Sequence, residues 1–121
     1  MAVTTTSLAN PIGARIVIDA LANGTAEVAA ISGAATIYQV RIDNTLNTAA
    51  VYLKIVDATS GTAGSTEPHH IYQCPGSAKI SFVVNSGLAL GTGLTFWATT
   101  DTGSNGSASP TNPVEVRFLT S

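Results

Sequence analysis

Few residues in this chain carry side chains capable of chemistry: two adjacent histidines, His69 and His70, one cysteine, Cys74, and seven carboxylates, Asp19, Glu27, Asp43, Asp57, Glu67, Asp101 and Glu115. Adjacent residues in an extended chain project to opposite faces, so one surface cannot present both histidines to a single metal ion. A metal or an anion would need one histidine repeated about a symmetry axis; solvent-facing histidines beside a turn are the expectation. The acids include no close pair with the look of a glycosidase dyad, although pairing through space is invisible in a sequence. The glycines of "SGLALGTG" suggest a phosphate loop, but no Lys-Ser/Thr follows and no helix begins there, so the stretch reads as a turn. Cys74 has no second cysteine to pair with, and its place in an extended segment makes it a packed thiol. Asn23-Gly24-Thr25 and Asn105-Gly106-Ser107 match the glycosylation pattern, as chance allows in a chain rich in Thr and Ser. No acid, base, nucleophile or metal set converges, so the expectation is a protein that is not an enzyme and takes no cofactor.

The elements that must position these residues are short and extended. Residues 1–11 form a polar arm containing Thr4, Thr5, Thr6, Leu8, Asn10 and Pro11, expected to dock on its own sheet or on a neighbouring subunit. Residues 12–121 follow as one domain. "ARIVIDAL" alternates Ile16, Ile18 and Ala20 against Arg15, Val17 and Asp19, and "TAEVAAISG" is kept short by Gly24 and Gly33, so both read as strands. "TIYQVRID" sets Tyr38, Val40 and Ile42 against Gln39, Arg41 and Asp43, and "VYLKIVD" sets Val51, Leu53 and Ile55 inward against Tyr52 and Lys54. These two strands are expected to be antiparallel neighbours.

"HHIYQC", "KISFVV", "LTFWATT" and "VEVRFL" complete the set, with Ile80, Phe82, Val84, Leu94, Phe96, Ala98, Val114, Val116 and Phe118 directed to the core. Gly87, Gly91 and Gly93 mark a corner. The loops "ATSGTAGSTEP" and "DTGSNGSASPTNP" have the composition of mobile surface connections. Seven or eight short strands without a convincing helix predict an all-β fold, an antiparallel β-sandwich of jelly-roll kind. Tyr52 and Trp97, both predicted outward, are the best candidates for partner contact, because large aromatics on an outer face are costly unless covered. The alternative for Trp97 is packing beneath the 101–113 loop.

Composition narrows the function classes. Charged residues make up 10% of the 121 residues, against about 25% in an ordinary domain. Hydroxyls, amides and methyls take their place, and these desolvate more easily than ions do. A surface of that kind suits a protein that lives against other proteins. The net charge of -2, with Arg15, Arg41, Lys54, Lys79 and Arg117 scattered along the chain, argues against nucleic-acid binding. Neither a basic leader with an apolar core nor an apolar run of about 18 residues is present, so no secretion signal and no membrane partner are expected.

The order "ATIYQVRIDNTLNTAAVYLKIVDATSG", "STEPHHIYQCPGSAKISFVVNSGLALGTGLTFWATT", a small-residue loop and a final "VEVRF" resembles a group of small tailed-phage and prophage virion structural proteins. The likeness covers about residues 34 to 119 and includes no catalytic motif; residues 1–33 depart from it. The resemblance implies a bacteriophage β-sandwich made in the host cytoplasm and located in the virion. With the low charge and the polar arm, the leading expectation is a capsid decoration or cement protein, a homotrimer contacting the major capsid protein through the arm, Tyr52 and Trp97. The alternatives are a tail adaptor, baseplate or fibre-associated module, and a carbohydrate-binding module whose exposed aromatics stack on sugars.

Overall fold

The computed structural model describes residues 3–7 and 15–121. Among them are nine strands, all paired antiparallel: β1 Val3–Ser7, β2 Arg15–Ala22, β3 Glu27–Ser32, β4 Ala35–Asp43, β5 Val51–Asp57, β6 His70–Cys74, β7 Lys79–Leu90, β8 Gly93–Thr99 and β9 Val114–Thr120. They form a five-stranded sheet in the order β1-β2-β9-β4-β7 and a four-stranded sheet in the order β3-β8-β5-β6. The fold is an antiparallel β-sandwich. Four of the pairings are nested, β2 with β9, β3 with β8, β4 with β7 and β5 with β6, so the chain from β2 onward behaves as one long hairpin ribbon. Contacts of β4 with β9 and of β5 with β8 fold that ribbon into two layers.

Alternation explains why these segments pair as they do. Val40 and Ile42 of β4, Leu53 and Ile55 of β5, Leu94, Phe96 and Ala98 of β8, and Val114, Val116 and Phe118 of β9 all point between the sheets and are buried. Each large apolar side chain removed from water contributes about 1.5 to 3 kcal/mol. Phe96 and Phe118 meet across the layers with ring centroids 4.9 Å apart, and Tyr72 meets Phe82 at the same separation. Cys74 is buried as a free thiol among them.

Four expectations are corrected. β4 and β5 are not neighbours: the 44–50 connection crosses between the sheets, and each strand finds its partners there. Nine strands replace the expected seven or eight, the ninth coming from the arm, which docks on its own sheet, one of the two placements expected for it: Val3–Ser7 pairs along β2 from Val3 opposite Asp19 to Ser7 opposite Arg15. In β2, Val17 and Asp19 face inward and are fully buried, whereas Ile16 and Ile18 lie half-buried on the outside. The glycines do not form a single corner. Gly87 lies within β7 at φ +80°, where four residues, 84–87, oppose Tyr38 alone. This bulge moves the inward phase of β4 from Ile37 to Val40 and leaves Tyr38 half-buried. The turn itself is Gly91-Thr92, and Gly93 opens β8 so close to β3 that a side-chain Cβ there would lie 2.6 Å from the Ile31 carbonyl oxygen.

Candidate contact surface

The outer face of the four-stranded sheet is covered by the protein's own loops. Thr95, Trp97 and Thr99 of β8, with Lys54 of β5, point away from the sandwich core, yet none of them is exposed. Gly61 lies over the indole, its Cα placed so that an added Cβ would sit 3.6 Å from Trp97 Cζ3. The Lys54 ammonium donates to the Gly103 carbonyl at 2.5 Å and the Gly106 carbonyl at 3.3 Å. Burial lowers the Lys54 pKa, and Asp101 opposes that shift. Thr95 Oγ1 donates to Ala58 O at 2.9 Å, Thr99 Oγ1 to Asp101 O at 3.0 Å, and Ala108 N to Asp101 Oδ2 at 2.9 Å. The loops that composition describes as mobile are therefore anchored as a second, polar layer.

Trp97 was expected outward and available to a partner; its outward direction is correct, but it is 0% exposed. Residue alternation gives a side chain's direction and says nothing of a loop folding back over it. Tyr52, on the same face, remains half-buried, its hydroxyl accepting from Gln73 Nε2 at 3.4 Å.

His69 and Asp57 are tied into the fold by hydrogen bonds. His69 Nδ1 accepts from Asp57 N at 2.9 Å, which occupies the lone pair a metal would need. The Asp57 carboxylate accepts Gly91 N at 2.9 Å, Thr92 N at 2.8 Å and Gly93 N at 3.2 Å. These backbone donors hold its pKa below the ordinary 3.8. Space brings together two acids that sequence separates: burial, and then the neighbouring charge of Asp19, raise the Glu27 pKa above 4.5. Asn44 Nδ2 donates to Ala49 O and Pro75 O at 2.9 and 3.0 Å, and Asn47 Nδ2 to Asn44 Oδ1 and Asn112 O at 2.9 and 2.8 Å. This buried network joins three connections at one end of the sandwich. Among the described residues no group of three or more His, Cys, Asp or Glu side chains could hold a metal ion, and no helix is long and apolar enough to cross a membrane.

Among the described residues, the open surface is the outer face of the five-stranded sheet. Register across β2, β9, β4 and β7 places Ile16, Leu119, Gln39 and Val83 in one row and Ile18, Arg117, Arg41 and Ser81 in the next. Glu115, Asp43 and Lys79 form a third row. Val83 is 72% exposed. A hollow of about 230 Å³ opens here, lined by Ile16, Gln39, Arg41, Arg117, Phe118 and Leu119. At the sheet margin β1 adds exposed Thr4 and Thr6, aligned with Ile18 and Ile16, and exposed Thr5. Leu8, Asn10 and Pro11 lie outside the described residues.

Sequence reasoning missed this face because Arg41 and Arg117 are 76 positions apart and meet only through the β4–β9 register. The alternating Arg41-Ile42-Asp43 and Glu115-Val116-Arg117 triplets are the local signal that remains. Comparison with protein-family models, with curated proteins and with solved structures finds no match for the chain.

Proposed function

We propose that this protein is a non-enzymatic structural component of a bacteriophage virion, a decoration or cement protein that binds the major capsid protein as a homotrimer. The observation that carries the reading is the exterior: five Lys and Arg in the whole chain, one of them buried, and a threonine-lined margin beside an open, partly apolar sheet face. Such a surface loses little hydration free energy when covered by a neighbour, and repeated weak contacts on a lattice add to strong attachment. The resemblance across residues 34–119 supports the same setting. The finer jelly-roll description belongs with this proposal and rests on the four nested strand pairs, the pattern of a long hairpin wound into two sheets. The sugar-binding alternative loses its main residue, because a buried Trp97 offers no ring face for stacking.

The test mixes the purified protein with expanded capsid shells that lack decoration, followed by density mapping of the particles. Occupied positions where capsomers meet, with three copies at each, are expected. A monomer that leaves the shells bare would end the decoration reading, and density on the tail alone would replace it with the adaptor reading.

A further inference from the structure

We propose that the hollow on the outer face of the five-stranded sheet binds a carboxylate side chain of a partner protein. The acid would lie between the guanidinium groups of Arg41 and Arg117, and the apolar neighbours of that acid would rest on Ile16 and Leu119. Four observations converge on this chemistry. Arg41 and Arg117 are direct cross-strand partners, and like charges so placed repel each other. Glu115 engages Arg117 through Nε at 2.8 Å, which leaves the Nη donors for another group. The Arg41 guanidinium makes no side-chain hydrogen bond or close ion pair among the described residues and feels Asp43 only as a nearby charge. The two arginines line one cavity, with the apolar Ile16 and Leu119 on its other walls.

The occupant follows from charge and shape. Two guanidinium forks suit a planar carboxylate, and their convergence in a partly apolar hollow strengthens each bond. A nucleic-acid backbone fits poorly, because Asp43 and Glu115 border the arginines in the next row and repel a run of phosphates. A Glu or Asp presented singly among apolar residues matches the apolar row and the arginine row, and one compact carboxylate can keep clear of Asp43 and Glu115. This chemistry does not depend on the virion reading; identifying the partner with the major capsid protein does.

The experiment titrates isotopically labelled protein with two blocked peptides, Ac-Ser-Leu-Glu-Leu-Ser-NH2 and its Gln counterpart, and follows amide and arginine side-chain NMR signals. The Glu peptide is expected to shift signals of Gln39, Arg41, Arg117 and Leu119 and to bind about tenfold more tightly than the Gln peptide. The double variant Arg41→Gln, Arg117→Gln should lose that preference while keeping the wild-type pattern of amide signals away from this face, which shows that it is still folded. Equal affinity for the two peptides, shifts confined to another face, or an unaltered preference in the double variant would each overturn the proposal. Conversion of a wild-type oligomer to monomer by the double variant would also overturn it, by making a second copy the occupant. Applied to bare shells, the same variants separate the two ideas. Peptide discrimination without wild-type shell binding supports this site and removes the capsid partner; equal shell binding by wild type and double variant excludes this face from the capsid contact.

Discussion

Asp57 and Glu27 are both partly buried acids, yet their surroundings push them in opposite directions. Three backbone N–H donors favour the Asp57 anion, so its stabilising contribution is complete above pH 3.8 and is lost as pH falls through the lower folded pKa. Asp57→Asn keeps one acceptor oxygen and should cost about 1 kcal/mol at neutral pH, with the gap from wild type narrowing at about pH 3. Urea denaturation at the two pH values measures this, and a gap that stays constant would show that the carboxylate charge is irrelevant. Glu27 behaves the other way. Its raised pKa disfavours the anion beside Asp19, so Glu27→Gln should stabilise at neutral pH, and the gain should vanish as pH falls below 4.5.

Trp97 presents a third residue-scale case: its Nε1 is buried without an acceptor among the described residues. Trp97→Phe therefore removes an unsatisfied donor together with some volume, and it should change stability by no more than about 1 kcal/mol; Trp97→Ala should cost about 3 to 5 kcal/mol. Thermal melts of the two variants distinguish the effects. A Phe variant as damaged as the Ala variant would mean that the indole nitrogen has a partner.

At the scale of elements, the bulge of β7 and the docking of β1 carry the most specific consequences. A Cβ at Gly87 would enter the space of Thr36 Cγ2, and the residue already sits at φ +80°. Gly87→Ala should cost about 2 to 3 kcal/mol, and adding Thr36→Ala should recover the steric share, leaving about 1 kcal/mol of backbone strain. A double-mutant cycle by urea denaturation checks this, and strict additivity would contradict the contact. β1 contributes Val3 to the core margin and shields the edge of β2. Removing residues 1–7 should cost about 1 to 2 kcal/mol and raise self-association through the newly open edge. Denaturation with light scattering reads both effects, and unchanged stability would mean that β1 is not docked in solution.

For the molecule as a whole, the nested pairing makes folding a non-local problem. Arg15 pairs with Thr120, so the outermost rungs of the ribbon can form only after the chain between them is organised. Refolding is expected in the range of about milliseconds to seconds, with Cys74 reporting the process. The thiol is fully buried, and burial pushes its pKa up. Labelling by a thiol reagent should accordingly proceed at the unfolding rate. Immediate labelling of the native protein would show the core open around Cys74.

What the sequence determined by itself was the all-β class, the position of seven of the nine strands with the first half of β7, and the inward sets of β5, β8 and β9, because side-chain direction in a strand follows a local period of two. It also placed Cys74 in the interior and pointed Trp97 outward. Only the tertiary structure decided that β4 and β5 lie in different sheets, that two loops bury Trp97 and Lys54, and that Arg41 stands beside Arg117. Those outcomes depend on register and on loops returning over a sheet, relations between residues far apart in the chain, on which a local pattern carries no information.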